Sequence, residues 1–348
     1  MNNEQLQIKQ FVDQFSYFPG TRFMGSKNKI IHEIWNILKE YEFKSFFDAF
    51  AGSNVVGYFM KSKGKEVITN DFMAISHIIA KAIIENSNTQ LDNNDLDFLL
   101  KNNNKESYIS QTFKGLYFAD QDNQFLDKVR FNISLLKDEY KQAIGLSALV
   151  RACMKKRPRG VFTFVGQRYD DGREDIIKSI RDHFIDNVSI FNKAVFDNGI
   201  FCKTYNSFIE ELNIEADLIY FDPPYFSPKS DNDYVRRYHF VEGLAKNWNG
   251  LEIQEHTKTK KFKSYKSPFS KREEAYTEFD KLIKKYKKHI IAISYSSNSL
   301  PTKDQMIGIL EKYKNNVIVH EIDYLYSFGN QRTGNEFNRV KEYLFVGS

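Results

Sequence analysis

Two strand-like runs, 45–50 and 66–71, bracket a helical stretch at 53–63, and this spacing commits the chain to parallel strands joined by a right-handed crossover. Five more short β-branched or aromatic-rich runs, 200–204, 216–221, 290–295, 317–324 and 342–346, are bounded by turn or helical patterns. Together the seven runs predict an α/β fold on one buried sheet. The stretch 88–195 offers helical patterns and few strands, so it reads as an inserted, mainly helical unit between a first part, 1–87, and a second, 196–348. Residues 86–104 are rich in Asn and Asp and read as a loop or a weakly packed boundary. Residues 226–270 are polar and basic without clear periodicity and read as a long functional loop.

The chain has 348 residues, room for two structural units or one large unit with an insertion. With 41% hydrophobic and 27% charged residues it is globular in composition, which excludes disorder as its main state. No apolar run approaches the length of a spanning helix, and the start, MNNEQLQIKQ, lacks the pattern of an export signal. A soluble, cytoplasmic protein without membrane contact is expected, as a monomer or weak dimer. Cys153 and Cys202 are far apart in sequence and indicate neither a disulfide framework nor a thiolate metal site. The net charge of +5 is mild, but residues 258–288 carry twelve Lys/Arg against four acids. A second basic cluster holds Arg151, Lys155, Lys156, Arg157 and Arg159. Each cluster is either a solvated face or a phosphate-binding surface. Lys258, Lys260, Lys261, Lys263 and Lys266 interleave with Phe262 and Tyr265, a pattern that suits a groove holding phosphates and stacking bases.

The first motif is a small-residue turn. Phe46-Phe47-Asp48-Ala49-Phe50-Ala51-Gly52-Ser53-Asn54 runs from a strand into a helix start, where the absent Cβ of Gly52 and the free N–H groups admit a ligand close to the backbone. The turn has neither the spacing of a dinucleotide fingerprint nor that of a Walker loop, so a pyrophosphate is disfavoured. Asp71 ends the next strand 19 residues after Gly52, the distance at which an acid accepts hydrogen bonds from ribose hydroxyls. It is also suited to capping the helix that follows, and the two roles are compatible.

The second motif, Asp222-Pro223-Pro224-Tyr225, leaves a buried strand at its carboxyl end, where open α/β sheets bind ligands. The two prolines fix the directions of the Asp222 and Pro223 carbonyls, Asp222 adds a carboxylate, and Tyr225 adds a flat face. Such a corner fits the exocyclic amine of a planar base. The lone pair of that amine is delocalised into the ring, and two oriented acceptors would localise it for in-line attack on a sulfonium methyl. A carboxylic acid with a reference pKa of about 3.9 is a poor base for a neutral amine, so Asp222 is assigned to orienting and polarising, with the proton lost after transfer. A base inside a duplex must be flipped to reach such a pocket, so the expected partner is double-stranded DNA.

Gly20-Thr21-Arg22-Phe23-Met24-Gly25-Ser26-Lys27, then Asp48 to Ser53, then Asp222 to Tyr225 occur in an order that resembles the Dam-like (D12 class) adenine-specific DNA methyltransferases. The resemblance covers roughly 20–85 and 195–348. It implies a seven-stranded Rossmann-like methyltransferase sheet with an inserted target-recognition domain. It also implies S-adenosylmethionine as cofactor and methylation of adenine N6 at a specific site in duplex DNA. By resemblance, Phe23, Lys27, Phe50, Gly52, Ser53, Asp71 and Asp222 hold the cofactor, and Asp222, Pro223, Pro224 and Tyr225 form the catalytic corner. Phe208 looks like the residue that packs on the cofactor adenine, core packing being the equal alternative. Tyr234 or Tyr238 supplies a further aromatic. The tail from Asn335 to Gly347 is similar to the closing strand of the family. The chain departs from the family in its Ala51-Gly52 pair and in the length of 226–270. Rival readings are cytosine-N4 methylation, disfavoured by Asp at 222, an RNA substrate, and a non-catalytic DNA-binding subunit of a modification system, disfavoured by intact Asp222 and Tyr225. A cognate restriction endonuclease is an implied partner.

Overall fold

The computed structural model describes residues 14–102, 107–166, 172–226, 233–265, 267–325 and 339–348. Seven strands, β1 (Ser45–Asp48), β2 (Glu66–Asn70), β3 (Lys203–Tyr205), β4 (Leu218–Phe221), β5 (Ile290–Ser296), β6 (Val317–Leu325) and β7 (Arg339–Gly347), form one sheet in the order β3-β2-β1-β4-β5-β7-β6. The first five are mutually parallel, and β7 runs antiparallel to both β5 and β6. All seven expected strands are present, the third shifted toward Tyr205. This is the seven-stranded, Rossmann-like sheet that the resemblance implies.

Strand periodicity assigns side chains to two faces. Phe46, Leu218, Tyr220, Ala292, Leu344 and Val346 point into one hydrophobic core, while Phe47, Ile219, Phe221, Ile291, Ile293 and Phe345 point into the other. Burial on both faces is why these strands read as continuous apolar runs rather than as alternating ones. The first face is covered by α1 (Ile31–Leu38), whose Ile31, Ile34 and Leu38 form a helical stripe, and by α2 (Val55–Ser62) and α3 (Ala74–Ala80).

Between β2 and β3 lie α4 (Asn93–Leu100), α5 (Tyr108–Thr112), α6 (Asp120–Ser134), α7 (Glu139–Lys155), α8 (Glu174–Ile177) and α9 (Ile180–Ala194). Their apolar residues, among them Leu126, Ile144, Leu149, Phe184 and Phe191, belong to the same core as Ile34 and Tyr58. The inserted segment is helical in its described residues, as expected, and it shares its core with the sheet. α10 (Tyr234–Lys246) also packs on this side, and α11 (Ala275–Lys285) and α12 (Lys303–Glu311) cover the second face.

Two expectations need correction. Part of 86–104 is the helix α4, started by a capping box in which Asp92 and Asp95 each accept from the other's backbone N–H. The 226–270 region is not one loop, because α10 occupies its middle, capped by the Asp233 carboxylate on Arg236 N. The buried residues Val235, Tyr238, Val241 and Leu244 repeat every three positions, a pattern obscured by Arg236, Arg237, His239 and Glu242 among them.

The contact of α2 with β2 depends on Gly57, where a Cβ would lie 2.9 Å from Thr69 Cγ2 and 3.0 Å from Ile84 Cδ1. Overpacking a site of this kind costs about 1–3 kcal/mol. Gly57→Ala is therefore expected to lower the calorimetric melting temperature by several degrees, and an unchanged melt would contradict the close approach.

Candidate active site

The carboxyl ends of β1 and β4 lie side by side, with Asp48 in register with Tyr220. The chain departs from this point toward β2 on one side and β5 on the other, so a crevice opens above it. The crevice is a cleft partly open to solvent. Three segments distant in sequence line it: Phe23 to Lys27, Asp48 to Ser53, and Asp222 to Tyr225, with Asp71, Phe72, Tyr220 and Tyr234 completing the wall.

Each wall is held by identifiable contacts. Gly52 sits at φ +49°, where a side chain would be strained, and its Cβ position is 3.2 Å from Phe23 Cε1. Its N–H donates to Asp71 Oδ2 at 2.8 Å, while Asp71 Oδ1 accepts from Met73 N at 2.8 Å. Asp71 therefore ties the glycine turn to the corner before α3 and also faces the cleft. Ser53 Oγ donates to Ser26 Oγ at 3.0 Å, joining the turn to the 23–27 segment. Phe50 packs edge-on against Phe221 and Phe269.

The structure distinguishes Tyr234 from Tyr238. Tyr238 is fully buried, accepts from Met24 N at 2.8 Å and stacks on Phe23, whereas Tyr234 lines the cleft and stacks on the same ring from 5.9 Å. Phe208 is neither core nor cleft wall. It is 38% exposed and stacks on Phe72, which does line the cleft. Tyr225 is backed by the edge of Tyr295.

The charge arrangement is the least expected feature. Lys27 Nζ lies 2.9 Å from Asp222 Oδ1 and 3.0 Å from Glu342 Oε1. Burial opposes the Lys27 ammonium, and the two carboxylates outweigh it, holding Lys27 charged well above the usual lysine range. Burial pushes the Asp222 carboxyl up to about 6, against the pull of Lys27 and with the help of Glu342. Burial raises Asp71 to about 6 as well, moderated by its two backbone donors. Burial raises Asp48 well above the ordinary carboxylate range, with Asp222 and Asp71 adding repulsion. Asp48 Oδ1 has no hydrogen-bond partner among the described residues, although it is buried on this wall. Asp48, Tyr220 and Glu342 carry no assignment in the sequence reading. The first two could have been found by strand periodicity, since Tyr220 and Asp222 share a face. Glu342 becomes visible only once β7 is known to lie beside β5.

The two basic clusters fare differently. Arg157 is 1% exposed and donates to the carbonyls of Phe164 (2.7 Å) and Gly166 (2.9 Å), which leaves it no surface for a phosphate. Arg151 donates to Gly20 O and Asn187, Lys155 pairs with Asp175, and Lys156 pairs with Asp122. Only Arg159 of this group is exposed. In the second cluster Lys258 and Lys263 are exposed, Lys261 is half-buried, Lys260 pairs with Glu255, and Lys266 lies outside the described residues. Tyr265 donates to Glu242 at 2.6 Å, and Ser264 donates to Asp233 at 2.7 Å, so the 251–265 segment is fastened beside the cleft. The lysines at 284–288 precede β5 and so lie at the opposite, amino end of the sheet.

The family model for D12 class N6 adenine-specific DNA methyltransferases matches residues 23–298. Among curated proteins the chain is similar to the type II methyltransferase M2.HphI of Haemophilus parahaemolyticus, at 29% identity over 94% of the chain and 97% of that protein. It is 26% identical to modification methylase StsI of Streptococcus sanguinis over 86% of the chain, and 26% identical to the type II methyltransferase M.FokI of Planomicrobium okeanokoites over 84% of it. The match takes in 47% of the length of each of these two proteins.

Removing the shared cation gives a test of the geometry. Breaking a buried pair from one side costs about 3–5 kcal/mol, and Lys27→Met leaves Asp222 and Glu342 facing each other as like charges. The loss in thermal stability should be larger at pH 8 than at pH 5, because protonation of Asp222 relieves the repulsion at the lower pH. Equal losses at both pH values would show that Lys27 does not hold these carboxylates.

Proposed function

The chain belongs to the D12 class N6 adenine-specific DNA methyltransferase family, and from that premise we propose that it transfers the methyl group of S-adenosylmethionine to the N6 amine of a flipped adenine at a specific site in duplex DNA. The observation that carries the reading is the meeting of the glycine turn and the Asp-Pro-Pro-Tyr corner in one cleft walled by buried carboxylates. A cleft with Asp48, Asp71 and Asp222 on its walls and one lysine already shared favours a positively charged ligand, which S-adenosylmethionine is at its sulfonium and ammonium. The unpartnered Asp48 Oδ1 is a group such a ligand would satisfy.

Phe23, Phe50, Gly52 and Ser53 would hold its amino-acid part, Asp71 the ribose, and Phe72 with Phe208 the adenine edge. When bound, the cofactor supplies an electrophilic methyl group on sulfur. The chain supplies position and field. The Asp222 carboxylate and the Pro223 carbonyl accept from the two N6 hydrogens, and Tyr225 stacks on the flipped ring. Transfer to the amine lone pair, with the S–C bonding pair left on sulfur, would place the positive charge on the methylated nitrogen until one proton leaves. Asp222 is the nearest group to take that proton, and burial makes it a better acceptor than its reference value suggests.

The 88–195 segment and the 251–265 segment are proposed to read and hold the DNA, with Lys258 and Lys263 on phosphates. Among the described residues no helix is long and apolar enough to cross a membrane. We take the protein to act as a monomer or weak dimer on cytoplasmic DNA, beside a restriction endonuclease of matching specificity.

Incubation with labelled S-adenosylmethionine and unmethylated DNA, followed by mass spectrometry of the nucleosides, should yield 6-methyladenine. A 4-methylcytosine product would overturn the adenine assignment. Asp222→Ala should abolish turnover while DNA affinity stays within several-fold. Charge-neutral substitution of Lys258 and Lys263 should lower the slope of log affinity against log salt by about one for each phosphate no longer neutralised. The same change at Lys155 and Lys156, which are paired internally, should leave that slope unaltered.

A further inference from the structure

Glu342 is 3% exposed on β7, does not line the cleft, and carries its charge beside a lysine that already has a carboxylate partner. Neutralising Lys27 requires one acid, and Asp222 is that acid. The second carboxylate leaves a surplus negative charge buried behind the active corner, which stability alone does not explain, since burying a charge is costly. Strand periodicity directs the surplus: Glu342 shares its sheet face with Leu344 and Val346, as Asp222 does with Tyr220, so both acids flank the Lys27 ammonium on the cleft side of the sheet. Ser294, on the same face of β5, donates to Glu342 Oε1 at 3.3 Å, the oxygen that Lys27 also holds.

We infer that Glu342 is a positioning residue of the methyl transfer: by sharing the Lys27 ammonium it keeps Asp222 a strong acceptor for the target amine, and its charge favours the positive charge that moves from sulfur to N6. Were Lys27 paired with Asp222 alone, its full field would draw the carboxylate electrons away from the amine. The inference rests on the proposed role of Asp222, and the experiment separates the two.

The groups that face Asp222 are Lys27 from the 23–29 segment, Glu342 from β7, Asp48 from β1, and Tyr220 and Tyr225 from its own segment. Ionised Asp222 is the active form, so the wild-type rate should rise with pH through a limb near 6. Glu342 raises this value. In Glu342→Gln the limb should therefore move to lower pH, by about one unit. The plateau kcat should fall roughly tenfold, because the methylated nitrogen loses part of the field that favours its positive charge. Cofactor affinity, followed by calorimetry, should stay within about threefold, because the charge acts on the reacting amine.

Ser294→Ala removes the donor that attenuates Glu342 and should move the limb the other way, to higher pH. Opposite shifts are not produced by a merely structural role. If Glu342→Gln fails to fold, Ser294→Ala alone decides: an upward shift supports the inference and an unmoved limb overturns it. Wild-type kcat and an unmoved limb in Glu342→Gln also overturn it. Absence of 6-methyladenine with the wild-type protein is a different result, and it removes the parent reading before any variant is compared.

Discussion

The pairing of β1 with β4 is the constraint on which the rest of the molecule depends. These strands are far apart in sequence, and their register sets Asp48 against Tyr220. Two residues beyond the paired positions the backbones leave the sheet in opposite directions, one as a small-residue turn and the other as a diproline corner. A slip of β4 by one residue in this register would turn Tyr220 and Asp222 to the other face, among the apolar residues under α11 and α12.

Electrostatics follow from the same placement. Among the described residues Lys27 is the cation that balances the cleft carboxylates, and it is held by two of them. Asp71 is held instead by the N–H groups of Gly52 and Met73, which also fix the turn. The carboxylate wall of the cleft is therefore held by backbone donors and a single buried lysine, so it is largely preorganised.

Much of this can be read from the sequence, for reasons that are local. The seven strands show as apolar runs because they are buried on both faces, and the two motifs show because Gly52 and the prolines at 223 and 224 have backbone properties that other residues lack. What escapes is set by tertiary neighbours. The Arg151–Arg159 cluster reads as a basic surface, yet helix packing turns Arg157 into the core and gives Lys155 and Lys156 acidic partners from α8 and α6. α10 is hidden because polar residues occupy buried positions in it: His239 Nε2 meets Phe162 O, and the Glu242 carboxylate accepts from the backbone N–H groups of Ala74 and Ile75. Glu342 is a charged residue in an apolar strand, and only the antiparallel return of β7 beside β5 brings it to Lys27.

The continuity of the first core has an evolutionary consequence. Tyr117 of the inserted segment meets His239 of α10 and donates to the carbonyl of Thr259, and Arg130 donates to the carbonyl of Leu244. The inserted segment thus shares an interior with the catalytic half and is not a cassette hung on a tether. Exchanging it alone between relatives would strand polar groups on both sides of the graft. Moving the insertion between relatives would therefore require α10 and the 251–265 segment to move with it as one block.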